Sequence, residues 1–190
     1  MAGFALFSAK DIDGRQWRFA QQNKQMSCGP TSVKIAKELV YNRSIGEEVI
    51  RGLVGLQYSK QSNSGKGLLD SARESEARWT QDGAIEKMVL PAVRLQPLAI
   101  PHARFAHGIA ALRPASRNHP AILGFNWNGG GGHFVVCVGP CKSDPSKFVI
   151  LDPDGGLQYL SVNKASSQQF SYKPSYGQVG TIDRIGFIVT

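Results

Sequence analysis

From Pro120 onward the chain is a succession of short segments rich in β-branched and aromatic residues, AILGFNW, HFVVCVG, KFVILD, GLQYLSV and DRIGFIVT, separated by Gly, Pro and Asp turns. Each reads as a strand. Before Pro120 the periodicity is helical. In TSVKIAKELVY, which follows Pro30, Val33, Ala36 and Val40 fall beside Ile35 and Leu39, while Lys34, Lys37, Glu38 and Tyr41 fall on the opposite side, the pattern of a helix burying one face. Helices first and consecutive strands second, with no βαβ alternation, predict an α+β protein built on an antiparallel sheet. A site shared by the two halves belongs where they meet.

Other segments follow the same division. Ser44 followed by Glu47 is a capping-box pattern, and Val49, Ile50, Leu53, Val54 and Leu56 continue at helical spacing, so a second helix is expected there. Residues 57–67 read as a loop, and further helices are expected at about 68–79, 80–90 and 104–112, punctuated by Pro91, Pro97, Pro101 and Pro114. Residues 1–20 carry Phe4, Phe7, Trp17 and Phe19 around an Asp13-Gly14 turn, an N-terminal arm or hairpin packed on the body. No internal repeat is present, so residues 1–190 are expected to form one domain.

Charge excludes several functions. The chain carries 22 Lys and Arg against 14 Asp and Glu, a net charge of +8, which draws it toward acidic surfaces. These cations are scattered, with no run of five, no zinc-finger spacing and no basic helix leading into heptads, so no nucleic-acid module is expected. No apolar stretch approaches the eighteen or so residues of a membrane span, and residues 1–10 lack the basic start of a secretory signal. A soluble protein is expected, cytoplasmic or part of something larger. Three cysteines, Cys28, Cys137 and Cys141, are too few and odd in number for a disulfide framework.

One of them is placed for reactivity. Cys28 precedes Gly29 and Pro30 at the expected start of the first helix, where unpaired amides and the macrodipole favour a sulfur anion. A buried structural cysteine is the alternative. A thiol nucleophile needs a base from elsewhere in the chain. His133 opens the strand HFVVCVG after the run Gly129–Gly132, so its ring would project from a strand end beside a glycine-lined approach where a peptide backbone could lie. His102, His107 and His119 sit in a proline-rich connector, on an expected helix and in a turn, and are weaker candidates. Asp152, ending FVILD one strand later, would orient the imidazole. Asp154 competes with it, although Asp154-Gly155 is turn chemistry. His133, Cys137 and Cys141 also fall at intervals of four, but only the first two would share a strand face and no fourth ligand follows, so no metal site is expected.

QNKQMSCGPTS, GGHFVVCVG and FVILDPDGG, in that order, resemble the papain-like cysteine peptidases, most closely the bacterial peptidase domains that remove double-glycine leader peptides in bacteriocin processing, together with their stand-alone and effector relatives. The resemblance spans about residues 21–161. It implies a helical lobe packed on the sheet, with the active site in the cleft between them. It also implies a glutamine six positions before the nucleophile, Gln22, that helps the Cys28 amide bind the oxyanion; Gln21 and Gln25 lie nearby. No cofactor is required. The implied partner is a protein or peptide substrate cut after small residues such as Gly-Gly, with Gly132 lining a narrow approach and Trp127 either walling that groove or packing the sheet. The effector relatives add delivery into another cell, with an inhibitor or immunity protein as a further partner. The same three groups would also serve an acyltransferase or a glutamine deamidase, and the same fold a non-catalytic peptide-binding domain.

Overall fold

The computed structural model describes residues 6–22, 28–41, 95–100, 111–161, 171–172, 174, 177–182 and 185–189. In chain order these form β1 (Leu6–Lys10), β2 (Gln16–Ala20), α1 (Cys28–Tyr41), β3 (Leu95–Ala99), β4 (Ala121–Trp127), β5 (Gly132–Pro140), β6 (Lys147–Asp152), β7 (Gly156–Ser161), β8 (Ser171–Tyr172), β9 (Gly180–Ile182) and β10 (Ile185–Val189). Each of the five segments read as strands contains a strand, over its described residues. The main sheet runs β3-β10-β4-β5-β6-β7, with β9 pairing β4 on its β10 side and β8 pairing β9. Every described pair is antiparallel, as the absence of βαβ alternation requires.

The central strands read as nearly continuous apolar runs because both faces of the sheet are covered. On one face Leu123, Phe125, Val135, Cys137 and Ile150 pack with Ile100, Leu112 and Ala115. On the other, Ile122 and Phe134 pack on Val33 and Ala36 of α1, while Val136, Val138 and Val149 pack on Ile35, Leu39, Trp17 and Phe19. Each of these large side chains contributes roughly 1.5–3 kcal/mol by leaving water.

The N-terminal arm is a hairpin, β1 paired with β2. Asp11 shapes its turn: Oδ1 accepts from the amides of Asp13 and Arg15, each at 2.9 Å, and Oδ2 accepts from Trp17 Nε1 at 2.8 Å. Asp13 then ties the hairpin to the β5–β6 loop by accepting from the amides of Lys142 at 2.7 Å and Ser143 at 2.9 Å. These bonds, with that of the Ser143 hydroxyl, hold the Asp13 carboxyl down at about 2.

Two expectations need correction. The spacing puts Lys34 and Lys37 on the side of the helix opposite its apolar face, yet both are buried. Residues 28–37 of α1 are buried all round, so charge does not mark a wet face. Lys34 meets Glu38 one turn on, and burial pulls the Lys37 ammonium down to about 8. The Pro97 region, read as a connector, is strand β3. Proline is tolerated there because, among the described strands, β3 lies at the sheet edge and pairs only with β10. The helices expected at 44–56, 68–79 and 80–90 and the loop at 57–67 lie outside the described residues, as does the 104–112 helix except for Ala111 and Leu112, which are helical.

The join between β5 and the 111–117 segment depends on Gly139. Its φ is +101°, and a β-carbon there would lie 2.3 Å from the carbonyl oxygen of Ala115. Gly139→Ala is therefore expected to cost about 2–4 kcal/mol, read as a lower urea midpoint at unchanged slope. An unaltered midpoint would show that this contact is not a constraint.

Candidate active site

Cys28 is the first residue of α1, so the helix begins two residues earlier than Pro30 implied. The thiol therefore sits within the first turn, where backbone amides lack intrahelical partners. No acidic side chain occupies that turn, which leaves the positive end of the dipole open to a sulfur anion. The cysteine belongs to the core cluster that includes Val33 and Phe134, and it is 1% exposed.

His133 is the second residue of β5 and Asp152 the last of β6. The antiparallel register Val136↔Leu151 carries the end of β6 toward the start of β5, and strand alternation puts both side chains on one face. His133 Nε2 lies 2.8 Å from Asp152 Oδ1. The same oxygen accepts from the amides of Asp154 at 2.8 Å and Gly155 at 3.0 Å, so a tight turn fixes the carboxylate before it meets the ring. The Cys28 thiol hydrogen-bonds the imidazole as well. With Nε2 committed to Asp152, the nitrogen left for sulfur is Nδ1.

Burial opposes a charge on His133, but the hydrogen bonds and negative charges of Asp152 and Cys28 outweigh it and raise the imidazole to about 10. The ring is thus an imidazolium at neutral pH, placed between two groups that are anionic when ionised. Among the described residues Cys137 and Cys141 have no such partner, and burial pushes their thiols up to about 12 and about 11. Cys28, Cys137 and Cys141 are not in disulfides.

Solved structures with this arrangement of strands and helix include the peptidase domain of Streptococcus ComA, a bifunctional ABC transporter of a quorum-sensing pathway, at a TM-score of 0.54 and 13% identity over 90% of this chain and 95% of that one. The fold is that of a papain-like peptidase domain. A double-glycine-motif protease from an AMS/PCAT transporter, solved with its leader peptide, aligns at a TM-score of 0.48 and 16% identity over 86% of this chain and 89% of that one. No family model and no curated protein matches the sequence significantly. At these identities the likeness is one of fold, and the residues must speak for the chemistry.

Gln22 is half-buried beside the same turn as Asp152. Its amide donates to the Pro153 carbonyl at 2.8 Å, and its Nε2 donates to Asp154 Oδ1 at 3.2 Å. The turn bonds involve Gln22, the neighbour of Gln21, and Gln25 lies outside the described residues. Trp127 stacks on His133, with ring centroids 5.5 Å apart and planes 23° apart, and also packs against the sheet core, so its contacts are those of packing over the imidazole. Gly180 on the neighbouring strand makes room for it, since a β-carbon there would lie 2.6 Å from Trp127 Cε3.

Gly132 pairs with Asn126 at the mouth of the β4–β5 hairpin. In that hairpin, β-carbons at Gly129 and Gly130 would meet open space. Of the weaker histidines, His119 is exposed in a turn, donating its amide to Ser116 Oγ at 3.1 Å, and His102 and His107 lie outside the described residues. Cys137 and Cys141 belong to different core clusters, and no group of metal-binding side chains occurs among the described residues. No described helix is long and apolar enough to cross a membrane. The role of Asp154 was not legible beforehand: its backbone does make the turn that Asp154-Gly155 signalled, but its carboxylate reaches Gln22, 132 positions away.

Proposed function

We propose that this chain is a cysteine endopeptidase with Cys28 as nucleophile, His133 as acid and base, and Asp152 as the group that orients the ring. The observation that carries the proposal is one buried imidazole hydrogen-bonded to a thiol at a helix start and to a carboxylate fixed by two backbone amides. In the reaction, Cys28 sulfur attacks a peptide carbonyl. The oxyanion is met by the Cys28 amide and the Gln22 side chain, and the His133 proton passes to the leaving amine as the C–N bond breaks. Water then attacks the thioester, His133 taking its proton, and the acid product leaves with the thiol restored.

The substrate is a protein or peptide with small residues, such as Gly-Gly, before the cut bond. The ground for this preference is the run Gly129–Gly132 immediately before His133, which could admit an extended peptide backbone. Delivery into another cell, opposed by an inhibitor or immunity protein, belongs to the same proposal and draws on the net charge of +8, which favours acidic partners.

The test is to incubate the wild-type and Cys28→Ala proteins with a bacterial proteome and sequence the new N-termini. New termini after small residues, present only with wild type, are the expected result. A one-dalton gain at glutamine without cleavage would make the protein a deamidase. Identical N-terminal profiles from the two proteins, with no modified side chains, would leave a non-catalytic peptide-binding domain.

A further inference from the structure

We infer that Asp154 is a positioning residue whose carboxylate sets the orientation of the Gln22 side-chain amide, so that the single turn Asp152–Gly155 governs both the imidazole and the oxyanion donor. The inference rests on the peptidase reading above. Its ground is the double attachment of Gln22 to the turn. The Gln22 backbone amide donates to the Pro153 carbonyl at 2.8 Å, and its Nε2 donates to Asp154 Oδ1 at 3.2 Å. The first bond fixes where the residue sits; the second fixes which way its amide faces.

That second choice has consequences because the two ends of a glutamine amide are nearly equal in shape and opposite in hydrogen bonding. Gln22 Oε1 is buried with no hydrogen-bond partner among the described residues, so its own surroundings do not fix which end of the amide takes the buried place. A flip would set Oε1 against the Asp154 carboxylate, acceptor facing acceptor at 3.2 Å. The carboxylate therefore prevents it. Held this way, Nε2 keeps a second N–H beyond the one given to Asp154, and that is the donor an oxyanion can use.

Removing the Asp154 side chain leaves its backbone amide bonded to Asp152 Oδ1 at 2.8 Å. The Asp152–His133 arrangement therefore survives while the amide of Gln22 becomes free to turn. Asp154 is exposed, so its truncation does not threaten folding, and equal thermal midpoints for all variants would verify this.

The experiment compares wild type, Asp154→Ala, Asp154→Asn, Gln22→Ala and the Asp154→Ala/Gln22→Ala double variant in two reactions. One is hydrolysis of an acetylated peptide ending in Gly-Gly-aminomethylcoumarin, which passes through an oxyanion. The other is alkylation of Cys28 by iodoacetamide, which does not. Asp154→Ala is expected to lower kcat for hydrolysis roughly three- to tenfold with the alkylation rate and its pH profile unchanged. Asp154→Asn, which still offers an acceptor but also tolerates the flipped amide, is expected to fall between. In the Gln22→Ala background the Asp154→Ala change is expected to cost nothing further.

Losses that simply multiply in the double variant would overturn the inference and leave the peptidase reading standing. So would an equal slowing of alkylation, which would mean that Asp154 acts through Asp152. No hydrolysis by the wild-type protein would take down both.

Discussion

Replacing Cys28 with alanine is expected to lower peptide hydrolysis by at least about 10⁴-fold while leaving the fold intact. The substitution removes one sulfur from the start of α1 and leaves the helix backbone as it is. The companion measurement uses the thiols themselves. At pH 7 a thiol raised to about 12, as Cys137 is, or to about 11, as Cys141 is, is ionised only to about one part in 10⁵ or 10⁴. Cys28 instead faces an imidazolium and the amides of a helix start. Iodoacetamide is small enough to test a sulfur that is 1% exposed, and Cys28 is expected to react at least about 10²-fold faster than either of the others. Equal labelling of the three, or full activity in Cys28→Ala, would remove the nucleophile from the proposal.

What could be read beforehand, and what could not, divides along physical lines. β4, β5 and β6 were legible because burial on both faces writes unbroken apolar runs into the chain. β3 was not, because Pro97 looks like a breaker unless its strand is known to lie at an edge. β8 and β9, at two and three residues, are too short to carry a period. Lys34 and Lys37 misled because a helix enclosed on all sides still carries lysines when their long stems can be buried and a charge can meet Glu38.

Within the site, Cys28, His133 and Asp152 could be named because each stands at an element end, where a side chain reaches past its own strand or helix. Their contact was then a matter of adjacent strands, 19 positions apart. The bond from Gln22 to Asp154 spans 132 positions between a connector and a turn, and no local pattern announces such a meeting.

Asp152→Asn separates the charge of the orienting group from its shape. The asparagine keeps an oxygen for His133 Nε2 and for the amides of Asp154 and Gly155, so the ring stays in place while the negative charge that helps raise it to about 10 is gone. Burial then acts with less opposition, and the imidazole pKa falls toward or below its ordinary 6.5. Hydrolysis is expected to drop on the order of 10²- to 10⁴-fold, and the rate of Cys28 alkylation at neutral pH to fall, since the sulfur no longer faces a cation.

Stability changes in a defined direction too. A group raised from 6.5 in the unfolded chain to about 10 in the folded one stabilises the fold fully below pH 6.5, and that contribution is lost as pH climbs through 10. Wild type is therefore expected to lose stability between pH 7 and 10, at up to about 1.4 kcal/mol per pH unit from this group, and Asp152→Asn to lack that decline. Urea midpoints at successive pH values read the difference directly. Parallel curves for the two proteins, together with unchanged alkylation, would mean that the carboxylate does not hold the imidazolium, and the acid–base assignment would have to be abandoned.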